Sequence, residues 1–299
     1  MSGGRLAREG ALLAWFGARQ RDLPWRRTRD PWSILVAELM LQQTQVARVL
    51  PRYEAFLAQW PTATACAAAP VGDIVTAWAG LGYNRRAVNL HRCARAVVAD
   101  HDGALPVTLD GLLALPGIGP YTARAVLAFA HESDQVGVLD TNAARVLARW
   151  EGRSLKPKEA QAAADGAVPA GQGWAWNQAM LDLGATICRP RRPGRSGGPR
   201  CDDCPAMPWC TWAVDGRPEP DPAVGSAGVS GGQSVFEGSD RQGRGRLVDA
   251  LRIAPVEPAH LAAAMGWPDD PARAERVART LVADGLAVAD ADRTLRLPG

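Results

Sequence analysis

Four cysteines fall within 23 residues, as Cys188-x12-Cys201-x2-Cys204-x5-Cys210. A Cys-x2-Cys pair inside a four-cysteine cluster indicates a metal site. Zinc and a 4Fe-4S cluster both accept four thiolates, and the spacing by itself favours zinc. Two further sets of residues could do chemistry. In Leu115-Pro116-Gly117-Ile118-Gly119-Pro120-Tyr121-Thr122, two glycines flank one apolar residue. The turn can therefore be very tight and turn its amides outward; with the next helix N-terminus they make a site for a phosphate oxygen. An ordinary helix-turn-helix connection is the plainer reading. Nineteen residues after Tyr121, Val138-Leu139-Asp140-Thr141-Asn142 places Asp140 where an aspartate commonly caps a helix. Glu38 is a lone acid among apolar neighbours in Pro31–Val46. A glutamate in a helix is usually solvated, but a carboxyl in apolar surroundings has a raised pKa and can act as a general acid.

The elements that must position these groups are almost all helical. Over residues 5–187, apolar residues recur at helical spacing between Pro/Gly breaks, giving roughly ten helices. Among them are Asp73–Trp78, Arg85–Val98, a short helix capped by Asp110 and ending at Pro116, Tyr121–Ala130, Thr141–Trp150, Pro157–Ala167 and Trp174–Ile187. A cysteine segment follows at 188–212, and a Gly/Ser/Pro-rich linker at 213–245. The tail at 246–299 predicts helices near 246–253, 257–265 and 271–284, then a hairpin over Leu286–Leu297, which is the order of a winged helix.

With 47% hydrophobic and 22% charged residues, the 299-residue chain has the composition of a soluble protein of more than one domain. No stretch reaches the ~20 apolar residues of a membrane span, and the N-terminus lacks a signal-peptide core. Net charge is only +3, but lysine occurs only at Lys156 and Lys158 among 34 basic residues. Arginine suits phosphate contact, and an arginine-rich genome codon bias would give the same excess. A cytoplasmic chain keeps thiols reduced, so the clustered cysteines read as metal ligands. Cys66 and Cys93, in apolar helical patterns, read as buried structural thiols.

Taken in order over about residues 10–212, six segments resemble the adenine DNA glycosylase family (MutY) of the helix-hairpin-helix superfamily. They are Arg21–Arg26, Glu38–Val46, Gly80-Leu81-Gly82-Tyr83, the 115–122 hairpin, Leu139–Asn142 and Asn177–Ala185. The resemblance implies an all-α, two-lobed helix-hairpin-helix glycosylase fold over 1–187, with the active site between the lobes. It implies a 4Fe-4S cluster on Cys188, Cys201, Cys204 and Cys210 rather than zinc, although the first gap is six residues longer than the family's. The extra residues form an Arg-rich loop suited to phosphate contact, or merely a solvated one.

By the same resemblance, Glu38 protonates the departing adenine and Asp140 stabilises the positive charge left on the sugar. Asn142 and Tyr121 support Asp140 and the catalytic water. Gln43 and Tyr83 fill the gap left by the flipped base, with Gln42 beside them. Leu23, Trp25 and Arg26 line the base pocket, and Leu115, Gly117, Gly119 and Thr122 hold the DNA backbone. Tyr121 occupies the position of the Schiff-base lysine in relatives that also cut the strand. A phenol forms no Schiff base, so a monofunctional enzyme is expected.

The tail does not resemble the mixed α/β domain that ends typical members and reads 8-oxoguanine, and Asn84 replaces a second tyrosine often found after Gly-Leu-Gly-Tyr. The expected substrate is double-stranded DNA with adenine opposite 8-oxoguanine or guanine, and the expected enzyme is a cytoplasmic, nucleoid-associated monomer. A thymine or uracil mismatch glycosylase is the nearest rival, and Gln42-Gln43-Thr44-Gln45 favours adenine. A non-catalytic DNA-binding regulator is the reading from another class.

Overall fold

The structure is a computed structural model that describes residues 2–191, 197–226 and 235–299. The chain opens with α1 (Ser2–Arg19) and a single 3-10 turn at Pro24–Arg26. It continues through α2 (Pro31–Leu41), α3 (Val46–Gln59), α4 (Ala63–Ala68), α5 (Val71–Ala77), α6 (Arg85–Asp100) and α7 (Leu109–Ala114). Next come α8 (Pro120–Ala130), α9 (Thr141–Glu151), α10 (Pro157–Ala167), α11 (Gly173–Thr186) and the short α12 (Thr211–Val214). The tail contains α13 (Asp240–Leu251), α14 (Leu261–Met265) and α15 (Pro271–Asp284), then strands β1 (Val288–Ala289) and β2 (Leu295–Arg296). The fold is predominantly helical, as expected. Among the described residues, no helix is long and apolar enough to cross a membrane.

The chain forms two compact units, Met1–Pro31 with Pro120–Gly232, and Trp32–Gly119 with Gln233–Gly299. In the first, α1, α9 and α11 share a core of Leu12, Phe16, Val146, Leu147, Trp176, Met180 and Leu183. The cysteine segment packs on the same core through Cys201, Cys210 and Trp212. In the second, α2 is buried from Trp32 through Met40 except at Ser33, which only a central helix tolerates. Phe56 sits between Trp60 at 4.8 Å and Trp78 at 6.2 Å between ring centroids.

Several details differ from the sequence reading. Thr108, not Asp110, caps α7, accepting from Gly111 N at 3.2 Å, and Asp110 lies in the first turn. Ser239 caps α13 and starts it at Asp240, inside the expected linker. Part of that linker is also held in place: Asp221, 4% exposed, pairs with Arg149, and Ser226 Oγ accepts from Leu155 N.

The tail is part of the second unit. Its strands pair antiparallel, Val288 with Arg296 and Ala289 with Leu295. Arg252 donates to Val75 O at 2.9 Å and to Asn84 Oδ1 at 3.0 Å, and Gly72 N donates to Pro298 O at 2.9 Å. A side chain at Gly72 would strike that carbonyl at 2.5 Å, so the seam needs glycine. Asn84, the departure from the second tyrosine, is thus the acceptor that receives the tail.

Candidate active site and metal centre

In the first unit the site is built at the start of α9. Asp140 is its N-cap: Oδ1 accepts from Asn142 N at 2.8 Å and Ala143 N at 2.7 Å, and Oδ2 accepts from Asn142 Nδ2 at 2.8 Å. Capping and a fixed carboxylate geometry therefore coincide. Desolvation raises the Asp140 carboxyl above its ordinary value, against the opposing pull of hydrogen bonds from Ala143 and Asn142 and the Arg145 charge. Part of its surface still reaches solvent. Asn142 is held from its other end, since Arg145 Nη2 donates to Asn142 Oδ1 at 2.7 Å and to Gly184 O at 2.8 Å. Arg145 Nε donates to Cys188 O at 2.7 Å. The helices α9 and α11 cross here with no room to spare: a Cβ on Gly184 would lie 2.5 Å from Asn142 Cβ and 2.8 Å from Asn142 O.

The same helix supports the cysteines. Arg149, one turn after Arg145, donates to Cys188 Sγ at 3.2 Å and pairs with Asp221 at 2.6 Å while lying 4.7 Å over the Trp212 ring. All four thiols are free, and with Leu183, Ile187 and Trp212 they line one small apolar cavity. Burial pushes the Cys204 thiol up to about 12 and Cys210 up to about 11. A metal centre here must therefore displace protons from thiols that otherwise keep them. Among the described residues, no three of His, Cys, Asp and Glu group as a site for a single metal ion. Four soft thiolate donors around one apolar cavity fit an iron–sulfur group. Arg192 to Arg195, within the Arg-rich insertion, lie outside the described residues. Cys66 and Cys93 are buried thiols, each pushed up to about 12 by burial.

Around the 3-10 turn, Leu23 and Trp25 are 7% and 5% exposed. Arg26, expected along the base pocket, is held by a partner. Its guanidinium grips Asp182 with both branches, at 2.8 and 2.9 Å, and Arg21 adds a third bond to the same carboxylate at 2.7 Å. Those charges hold Asp182 below its ordinary value despite burial. The head of Arg26 is thus committed within the protein, which leaves its stem for a pocket wall. Tyr121 stands half-buried in the first turn of α8. Thr122 is 1% exposed, a core position rather than a surface for DNA.

In the second unit, Glu38 is 5% exposed within α2. The helix stops at Leu41, so Gln42, Gln43 and Thr44 form a turn and not a continuation of the helix. Arg86, itself 7% exposed, explains the stop. Its Nη1 donates to the carbonyls of Leu39 (2.7 Å), Met40 (3.0 Å) and Gln42 (2.6 Å), capping the helix end. Its Nη2 donates to Thr44 Oγ1 at 3.1 Å, Leu81 O at 3.2 Å and Gly82 O at 2.8 Å. One arginine thereby ties two turns together, and each turn holds a non-glycine residue in the left-handed region: Gln43 at φ 55 and Tyr83 at φ 47. Such conformations persist only where the surroundings enforce them, and they concentrate at functional sites. Tyr83 is 44% exposed, large for an aromatic ring. At the hairpin, Gly117 takes φ 77 and packs its backbone on Asn89, while Leu115 and Ile118 are buried anchors. Gly117 and Gly119 leave backbone accessible between Pro116 and Pro120, as a phosphate contact needs.

Arg86, Arg145, Arg149, Asp182 and Gly184 were not singled out from sequence. The available signal was arginine at i and i+4 on the otherwise apolar face Ala143–Ala148 of α9.

The chain and its fold match known proteins. Residues 36–170 match the HhH-GPD superfamily of base excision DNA repair proteins. An adenine DNA glycosylase of Mycobacterium tuberculosis is 41% identical over 310 aligned residues, covering 100% of this chain and 96% of that protein. The human adenine DNA glycosylase is 36% identical over 268 residues, covering 83% of this chain and 46% of its own. Among solved structures, a thermostable thymine-DNA glycosylase superimposes with a TM-score of 0.66 at 30% identity, over 72% of this chain and 98% of that one. A trapped endonuclease III–DNA covalent intermediate gives 0.59 at 20% identity, over 72% and 97%, a likeness of fold.

Proposed function

Since this chain belongs to the adenine DNA glycosylases of the HhH-GPD superfamily, we propose that it hydrolyses the N-glycosidic bond of adenine mispaired with 8-oxoguanine or guanine, and leaves the strand uncut. The observation that carries the reading is a pair of carboxylates in unlike settings: Glu38, buried in apolar α2, and Asp140, wired to backbone amides and Asn142. In this reading Glu38, buried among the apolar residues of α2, is the general acid and holds the proton to be transferred. It gives that proton to a ring nitrogen of the flipped adenine, and the C–N electron pair leaves with the base. Ionised Asp140 stabilises the cationic sugar carbon, where water adds and loses a proton. The cation itself favours the charged form of Asp140, offsetting the upward push of burial.

Cys188, Cys201, Cys204 and Cys210 would hold a 4Fe-4S cluster, whose metal–thiolate bonds fasten the cysteine segment to the core. Arg149 then keeps Cys188 beside α9. Tyr121 offers no amine, so no Schiff base forms and the abasic site stays intact. The acting species is a cytoplasmic, nucleoid-associated monomer on mismatched duplex DNA.

The test is base release across a panel of mismatched duplexes, read after alkali, with borohydride trapping run in parallel. Cleavage of adenine opposite 8-oxoguanine or guanine with no trapped complex is expected, and Glu38→Gln and Asp140→Asn should abolish it while retaining DNA binding. The resemblance to a thymine-DNA glycosylase structure favours a second reading; activity on T·G or U·G duplexes alone would establish that one instead. Broad visible absorption of the purified protein separates iron–sulfur from zinc.

A further inference from the structure

The two turns that Arg86 ties together form one wall of a groove whose other wall is the tail. This groove of about 890 Å³ runs between Gln43 and Tyr83 on one side and Arg241, Arg244 and Gly245 of α13 on the other. Six arginines line it against two acids, Asp249 and Asp284. Both acids are already matched: Asp284 pairs with Arg244 at 2.5 Å and Arg85 at 3.4 Å, and Asp249 pairs with Arg252. The charge of Arg86 faces only carbonyl and hydroxyl oxygens in its six short bonds. The groove therefore keeps a net positive charge of several units. It is as large as the roomier small-molecule pockets (roughly 300–1,000 Å³), but six arginines stand around it. A polyanionic strand fits this chemistry better than a small molecule.

We propose that the tail is a fixed second wall of the DNA-binding face, and that α13 grips the backbone phosphates of the strand carrying the base left unpaired by flipping. The inference rests on the base-flipping reading above. A side chain that fills the flipped base's place must face its abandoned partner, and α13 lies across the groove from the two residues expected to do so. The tail cannot swing on a tether while Arg252 is seated on Val75 O and Asn84 Oδ1 and Pro298 on Gly72. Its grip is built into the same unit that carries Tyr83, which couples strand contact to insertion of the ring.

Gly245 gives the test, because a side chain there meets nothing within 4 Å and so enters the groove without disturbing the fold. Gly245→Glu, Gly245→Ala and Gly245→Arg would be compared for binding to an uncleaved duplex with 2′-fluoro-deoxyadenosine opposite guanine, with melting curves for each. Glu should weaken binding at least tenfold relative to Ala, and Arg should bind at least as tightly as Ala. Arg241→Ala should lower the slope of log K against log salt by about one, the signature of one lost phosphate contact. Hydroxyl-radical footprints should show protection lost on the partner strand in the Glu variant. Equal binding by Glu and Ala, or lost protection confined to the adenine strand, would overturn the proposal. A wild-type protein that binds this duplex through the groove but releases no base from its cleavable counterpart would sink the activity reading alone. One that releases adenine while Glu and Ala bind alike would sink the groove alone.

Discussion

Replacing Gly184 by alanine tests whether the crossing of α9 and α11 sets the geometry of the Asp140 carboxylate. The added methyl would sit 2.5 Å from Asn142 Cβ and 2.8 to 2.9 Å from the Asn142 carbonyl group, and two of those three atoms are backbone. Reaching ordinary contact at about 3.4 Å requires the α9 N-terminus to move by roughly 0.9 Å. Asn142 would carry Asp140 with it, because three of the hydrogen bonds on that carboxylate come from Asn142 and Ala143. A misplacement of about 1 Å at a catalytic group costs roughly a hundredfold in rate, about 2.7 kcal/mol of transition-state stabilisation. The stability cost is smaller. Overpacking costs about 1–3 kcal/mol, and about 1 kcal/mol returns because alanine favours a helix over glycine. The expected shift is thus a fall of no more than about 8 °C in Tm, at roughly 2–4 °C per kcal/mol.

Single-turnover base release with enzyme in excess reads the chemical step free of affinity changes, and calorimetry reads the fold. Gly10→Ala, an exposed mid-helix position in α1 with open space around it, is the control; it should gain up to about 1 kcal/mol and lose no activity. Base release by Gly184→Ala within threefold of wild type, at a temperature where it is folded, would refute the claim that this crossing positions Asp140.

Further outcomes follow from the same structure. Asp140→Asn should be inactive yet at least as stable at neutral pH: a carboxyl raised by burial destabilises the fold as pH climbs above the unfolded value of about 3.9, and the advantage of Asn should vanish below it in a pH series of melting curves. For the same reason the acid limb of wild-type base release should lie above the ordinary carboxylate range, since the ionised form does the work. Asp182→Asn leaves Arg26 buried and unmatched, with side chains 5% and 2% exposed; it should cost about 3–5 kcal/mol in urea unfolding, and adding Arg26→Met should recover most of it. Arg86→Lys cannot span both turns with one ammonium, so it should weaken DNA binding and slow base release together, with the intact fold checked by circular dichroism. With the proposed cluster in place, Cys204→Ser should remove its broad visible absorption and lower Tm, because the cysteine segment loses one of its attachments to the core.

Some features were legible in sequence because their cause is local. The hairpin turn is dictated by two glycines around one apolar residue, and the Asp140 cap by the residues just after it. The gathering of four thiols around one cavity was suggested by their spacing, and the order of helices by apolar periodicity. The short segments at either edge of helices were less secure: Asp110 yielded the cap to Thr108, and the helix that carries Glu38 ended before Gln42 because an arginine 44 residues away takes the Gln42 carbonyl.

Sequence by itself therefore determined what kinds of groups are present and which family the chain belongs to, and it proposed Glu38, Asp140 and the four cysteines as the groups that act. Tertiary structure decided what each group is free to do. It committed the head of Arg26 to Asp182, 156 residues away, and hung Asn142 between Asp140 and Arg145 under a glycine of another helix. It also drew residues 240–245 out of an expected linker into α13 and set Arg241 and Arg244 across a groove from Tyr83. Those outcomes depend on which buried polar groups find partners across long loops, and a buried charge accepts the partner that packing brings within reach, which no spacing along the chain encodes.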